Sequence, residues 1–599
     1  MQRSSTQFLT LLAAAASCGG LLHAATVGFS GFTPGNLVLS RSVYAGTAST
    51  ITIGQQLPPV CGAMASCPGM ASNNGAFPAV GSANNVWNND LVDGSFGITS
   101  PIFLDQLTTG GTLVNTLAIP ATSLTTSFSS KSELALNLST DGTVITFMGY
   151  SAPVNTLDVS NSNTPGVIDP TNPVGSAFYR IVGQVDAGGN LLTTDSNAYS
   201  GNNGRAAILA NGFYYTVGND NNGAGTPANI IDSTGAEILT PFAAPGTPVM
   251  IGNFSITQVI NPATGMPYAA DKPGKDDNFR GLTIFNNTLY VTKGSGGNGI
   301  NTVYQVGNAG SLPTLANAST APITILPGFP VTLAKASTAQ NPFGLFFATA
   351  NTLYVADEGD GTAADAATSP NAGLQKWVLS NGVWTRVYVL RNGLNLGQPY
   401  SVSNYPTSLN PSTDGLRNIT GRVNADGTAT IWAITSTVSA NGDQGADPNE
   451  LVEITDVIAN TNPAAAAQEQ FTIVRSAGYG EVLRGIAFTP GTSAQPAPAA
   501  YPVTSSGFAY SRAGKTYSAT LTIANNTNSP VSGPISVALA GLPQGASVVN
   551  ATSTVSGMPA VQIVASGTAL NPGQSASTKV LLSDPSNAAI QLTATVVFQ

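Results

Sequence analysis

The sequence predicts an all-β chain: a six-bladed β-propeller closed by strands from its two ends, followed by a second, smaller β module. Three observations carry this. First, runs of Val, Ile, Thr, Tyr and Phe are broken by turns such as Asp141-Gly142, Asn211-Gly212, Asn381-Gly382 and Asp426-Gly427, without convincing helical periodicity. Second, one strand start recurs about every 70 residues, the spacing of a repeat built from one supersecondary unit. Third, the last recurrence has no partners after it, while the N-terminus holds strands that lack a start.

Composition sets the bounds. The chain has 599 residues, a net charge of −9 and 8% charged residues, with 42% hydrophobic residues. Charge-driven disorder needs the opposite balance and is excluded. A nucleic-acid surface is not expected, because the 20 Lys and Arg form no cluster in the sequence. No apolar run after the N-terminus is long enough for a transmembrane helix.

Residues 1–24 read as an export signal: Arg3, the apolar run from Phe8 to Ala16, and small residues at Ala24 and Ala25 for cleavage. A lipoprotein cysteine at Cys18 is the rival reading. The chain is therefore expected outside the cytoplasm, secreted or at the cell surface. His23 is the only histidine and leaves with the signal, which removes Ser-His-Asp and Cys-His nucleophiles and His-ligated zinc. Cys61 and Cys67 remain, and in an oxidising compartment they are expected to form a local disulfide.

The propeller is expected over residues 28–490. Its inner strands begin at Leu134, Arg205, Arg280, Phe343, Arg417 and Arg484. Arg280-Gly281-Leu282-Thr283-Ile284 is followed by Leu289-Tyr290-Val291, Thr302 to Val306 and Ile323 to Leu326. Four antiparallel strands of this kind make a blade. The start at Arg484 is completed by Asn36 to Ser40, Pro101 to Asp105 and Thr112 to Leu117, which shields both terminal edges. A β-sandwich or a solenoid is the alternative.

Asn341-Pro342-Phe343-Gly344-Leu345, with Asn351-Thr352-Leu353-Tyr354-Val355-Ala356-Asp357 and Gly373-Leu374-Gln375-Lys376-Trp377, resembles an NHL-type propeller repeat. The resemblance implies fold and says little about substrate. Gluconolactonase-type hydrolases, similar in fold to NHL propellers, place acidic and Asn metal ligands around the channel. Arg stands at most corresponding positions here, so that calcium site is not expected. Residues 491–502 read as a Pro/Ala/Ser-rich linker. Residues 503–599 alternate in strand fashion, as in Tyr517 to Ile523 and Ile535 to Leu539, and resemble the immunoglobulin-like β-sandwich modules of bacterial secreted proteins.

Chemistry is expected at the blade starts, because first strands line the central channel. Arg205, Arg280, Arg417 and Arg484, with Phe343, would then ring one mouth and could bind an anion bidentately. In the opposing reading each Arg is paired with a neighbour such as Asp276, Asp277, Asp414, Glu481 or Glu358. Asp357, Glu358 and Asp360, with Asp365, suit a structural Ca²⁺, as do Asn441, Asp443, Asp447 and Glu450; solvated loop acids are the alternative. No other cofactor is expected. Trp87, Trp377, Trp384 and Trp432 suit sugar stacking or core packing. The leading expectation is a binding protein for a carbohydrate, another anionic ligand or a protein partner. A histidine-independent polysaccharide hydrolase or lyase and a structural cell-envelope platform are the alternatives.

Overall fold

The computed structural model describes residues 28–43, 99–169, 176–219, 234–492 and 501–598, apart from short interruptions. The export signal, Cys61, Cys67 and Trp87 lie outside the described residues.

Residues 37–488 form six four-stranded antiparallel sheets among the described residues, the arrangement expected of a β-propeller. Their first strands are Asn137–Leu138, Gly204–Ala210, Leu282–Phe285, Pro342–Thr349, Ser412–Val423 and Glu481–Phe488, numbered here as sheets 1 to 6. Sheets 1 to 5 each run outward in chain order. Tight two-residue turns join several neighbours: Asn211 and Gly212, Asn286 and Asn287, and Asn381 and Gly382 all have φ near the left-handed value that such hairpins require.

Sheet 6 is built from both ends of this region. Leu37–Val43 pairs with Glu481–Phe488, matching Leu37 to Phe488, Val38 to Ala487 and Leu39 to Ile486. Ile102–Leu107 and Leu113–Ala118 then add outward. The expected joining of the termini in one sheet is present.

The packing follows a circular order. Met148, Val182, Ala207 and Tyr214 fill the gap between sheets 1 and 2. Ile208, Tyr215, Val291 and Tyr304 fill that between 2 and 3. Val303, Leu345, Leu353 and Trp377 join 3 to 4, and Tyr354, Leu374, Ile431 and Ile454 join 4 to 5. Leu37, Trp432, Leu451 and Ile486 join 5 to 6, and Val38, Leu104, Ile145 and Ala487 join 6 back to 1. Trp377, Trp384 and Trp432 are buried in these layers.

Polar bonds fix the register of neighbouring sheets near the axis. Thr146 Oγ1 donates to Ala207 O at 2.6 Å, Thr292 Oγ1 to Phe343 O at 2.7 Å, Asn418 Nδ2 to Arg484 O at 2.8 Å and Ser40 Oγ to Leu134 O at 2.8 Å. Each places a side-chain donor of one sheet on a main-chain carbonyl of the neighbouring sheet or of the segment leading into it, which satisfies a polar group where the sheets meet.

The C-terminal residues form two further sheets. One contains Val503–Ser505, Thr516–Ala524, Ser575–Ser583 and Ser547–Val548, with Ala509–Ser511 attached; the other contains Ser553–Val555, Met558–Val564, Ile535–Ala540 and Thr593–Phe598. Leu521, Ile523, Val580 and Leu582 of the first meet Ile535, Val537, Leu539 and Val561 of the second in one core.

Candidate functional site

All four arginines are buried, on or just before first strands, and Arg280 and Arg417 meet at Glu358. Arg280 Nη1 donates to Ser132 Oγ at 2.7 Å and lies 3.9 Å from Glu358 Oε1. Its guanidinium stands 5.6 Å from the centre of the Phe343 ring. Arg417 Nε lies 3.2 Å from Glu358 Oε2, and Lys131 Nζ 3.5 Å from Glu358 Oε1. Arg205 Nη1 donates to Phe279 O at 2.6 Å and also to Asn278 Oδ1. Arg484 Nη2 donates to Gly445 O at 2.8 Å and also to Phe128 O.

Glu358 thus offsets charge on Arg280 and Arg417, while Arg205 and Arg484 bond to neutral oxygens. Burial opposes ionisation of Glu358, but Lys131, Arg280 and Arg417 outweigh it and hold its carboxyl at about 2. Burial lowers Arg205, and the charge of Arg280 lowers it further. Of the acids expected as sequence neighbours, Glu358 serves two arginines. Glu481 bonds instead to Arg41 at 2.6 Å, and Asp414 accepts from Gly361 N at 2.8 Å.

The segment before sheet 1 spans this mouth, and sequence reasoning missed it. Lys131 reaches Glu358, Ser132 accepts from Arg280 and Phe128 O accepts from Arg484. Asn203 Nδ2 bonds Ser130 Oγ and Glu133 Oε1, both at 2.9 Å. Glu133 also accepts from Thr126 Oγ1 at 3.0 Å and from the Tyr150 hydroxyl. Arg180 lies over the Tyr150 ring at 5.1 Å and donates to Ser162 O at 2.8 Å. The available signal was the run Ser130-Lys131-Ser132-Glu133, polar and charged in a chain poor in charge.

Asp357, Glu358 and Asp360 are each engaged by other groups of the protein. Asp357 accepts from Asn341 N at 2.8 Å, Gly359 N at 3.1 Å and Gln375 Nε2 at 3.2 Å. Glu358 faces the cations, and Asp360 accepts from Thr362 N at 3.0 Å. Among the described residues no three His, Cys, Asp or Glu side chains are grouped to hold a metal ion. Asn441 and Asp443 lie outside the described residues.

Three buried carboxyls give this region a pH signature. Burial raises Asp277 to about 7, Asp357 to about 6 and Asp414 to about 7. The folded chain then holds protons that the unfolded chain has released. Their stabilisation is complete below about pH 4, the ordinary range for Asp, and is lost as pH rises through these folded values. Thermal melts are expected to show a higher melting temperature at pH 5 than at pH 7; a flat or rising profile over that interval would contradict the assignment.

Further along the same first strands lies an open cavity of about 620 Å³. Every sheet contributes to it: Leu138, Ile208, Ile284, Phe346, Thr420 and Ile486 each come from a different one. Asn211, Asn286 and Asn287 stand in the hairpin turns at its edge. Its lining contains no Asp, Glu, Lys, Arg or His. Phe346 can lie as it does because Gly421 faces it: a Cβ at 421 would come within 2.5 Å of the ring.

No family model matches the chain, and no curated protein matches it. Among solved structures, the polysaccharide lyase Uly1 is 9% identical with a TM-score of 0.27, covering 76% of this chain and 91% of its own. The N-terminal domain of Nup159 is 8% identical with a TM-score of 0.24, covering 66% of this chain and 87% of its own. Likeness at this level does not bear on what the cavity binds.

Proposed function

We propose that the chain is an exported binding protein that takes a neutral carbohydrate into the axial channel of a six-bladed propeller. In this reading residues 1–24 direct export, residues 28–490 form the ring, residues 491–502 link, and residues 503–599 are an immunoglobulin-like spacer or adhesion module. One observation carries the choice of ligand: the open cavity is lined by all six sheets and holds no ionisable side chain. Amide and hydroxyl groups of Asn, Ser and Thr can bond sugar hydroxyls, and Phe346 offers an aromatic face. The four arginines, first considered as the anion-binding set, act in this reading as internal ties that close the opposite mouth. Their buried bonds to Glu358 and to main-chain carbonyls support that role.

A polysaccharide panel, neutral and acidic, read for both retention and cleavage, tests the reading. Neutral glycans are expected to be retained and left intact. Phe346→Ala is expected to weaken retention about tenfold, the equivalent of about 1.4 kcal/mol. Retention of acidic glycans alone, abolished by joint Arg280→Ala and Arg417→Ala replacement in a still-folded chain, would return the site to the arginines. Cleavage products would make the protein an enzyme.

A further inference from the structure

We propose that the cavity is a blind well, which admits the end of a neutral glycan chain and excludes its internal segments; this rests on the carbohydrate reading above. A chain can be gripped along its length only in a groove or in a channel open at both ends. The cavity meets solvent at the hairpin turns that follow the first strands, where Asn211, Asn286 and Asn287 are exposed. Its other end is closed by two layers of the protein.

The first layer is main chain drawn together. A Cβ at Gly281 would stand 2.1 Å from Phe343 O, one at Gly344 2.6 Å from Arg417 O and one at Gly485 2.3 Å from Leu134 O, so only glycine fits at the joints of sheets 3 and 4, 4 and 5, and 6 and 1. The remaining joints are bridged by side chains: Asn137 Nδ2 donates to Ala207 O at 3.0 Å, Arg205 Nη1 to Phe279 O at 2.6 Å and Asn418 Nδ2 to Arg484 O at 2.8 Å. The second layer is charged. Arg205, Arg280, Arg417 and Arg484 are each no more than 4% exposed. Lys131 reaches Glu358 at 3.5 Å and Arg280 reaches Ser132 at 2.7 Å, which ties the segment before sheet 1 over this mouth. Phe128, Ser132 and Glu133 of that segment are buried as well. A buried layer bonded to itself leaves no route for a sugar ring.

The size of the well agrees with this. Its volume of about 620 Å³ is that of a site engulfing one small ligand. The terminal unit of a glycan enters with an apolar face against Phe346, and the units behind it leave between the asparagines, whose amides both donate to and accept from hydroxyls. An internal unit carries a neighbour on each side. To reach the floor of a well it must bring both neighbours through one mouth, and a chain of stiff rings cannot fold back on itself in that space.

Competition measurements on the full chain decide it. Immobilised dextran, amylose and laminarin capture the protein, and each is competed by its soluble polymer and by the matching hexasaccharide. Polymer and hexasaccharide are expected to compete at the same molar concentration of chains, so that by mass the polymer is weaker in proportion to its length. Equal potency by mass would mean that internal segments bind, and would overturn the well while leaving the carbohydrate reading in place. Retention on none of the three would overturn that reading itself. Thr420→Trp adds bulk at a half-buried position of the wall. It is expected to weaken retention by about tenfold or more in a chain that still melts cooperatively. Undiminished retention by that folded variant would place binding outside the cavity and overturn the proposal.

Discussion

Replacement of Glu358 by alanine is expected to destabilise the chain by about 3–5 kcal/mol, the usual cost of removing one partner from a buried ion cluster. Glu358 is buried and is bonded or adjacent to Arg280, Arg417 and Lys131. Without it, three cations face one another at the axis in a low-dielectric interior, where like charges repel strongly. The loss should appear as a lowered urea midpoint and a lower melting temperature. Removing one cation as well, in Glu358→Ala with Arg417→Met, is expected to recover part of it, because the variant deletes a charge left without its carboxylate. A shift below about 1 kcal/mol in the single variant would place this cluster with exposed ion pairs, which contribute little.

Gly485→Ala is expected to destabilise the chain by about 1–3 kcal/mol, the range for overpacked sites. A Cβ at 485 would stand 2.3 Å from Leu134 O and 2.4 Å from Leu136 N, both main-chain atoms of the entry to sheet 1. Neither can turn away as a side chain does. Gly281 is in the same position one joint elsewhere, with Phe343 O at 2.1 Å, and Gly344 at the next, with Arg417 O at 2.6 Å. None of the three has positive φ, so the demand is for space and not for a glycine conformation. Gly110→Ala is the control, since a Cβ there meets nothing within 4 Å. The sign of the result is informative: where alanine fits, it stabilises by restricting the unfolded chain. Denaturation curves that leave Gly485→Ala as stable as the parent would refute close main-chain approach between sheets 6 and 1.

Those glycines also show why the repeat was visible in the sequence. Each follows the residue that marks the recurring start in the sequence, as in Arg280-Gly281, Phe343-Gly344 and Arg484-Gly485. The same packing problem arises at each joint, so similar residues recur. The pairing of Leu37 with Phe488 was legible for a related reason: an unpartnered start and unstarted strands complete each other only if the chain returns to its beginning. The partners of the arginines were not legible. Glu481, close to Arg484 in sequence, bonds Arg41, while Lys131 meets Glu358 across the axis. Sequence proximity says little here, because successive residues of a strand point to opposite faces. The cavity went unread as well. It is formed by apolar positions such as Ile208 and Ile486, which look like ordinary core residues in any strand.

By itself the sequence determined the local units: strands, turns, the recurring start and the exchange of strands between the two ends. These depend on alternation, on turn chemistry and on small residues at fixed places, all of which act over a few neighbours. Tertiary structure alone decided which mouth is filled and which is open, and which charges neutralise one another. Such outcomes depend on distances between segments far apart in the chain, and burial sets their energies only once the sheets have come together.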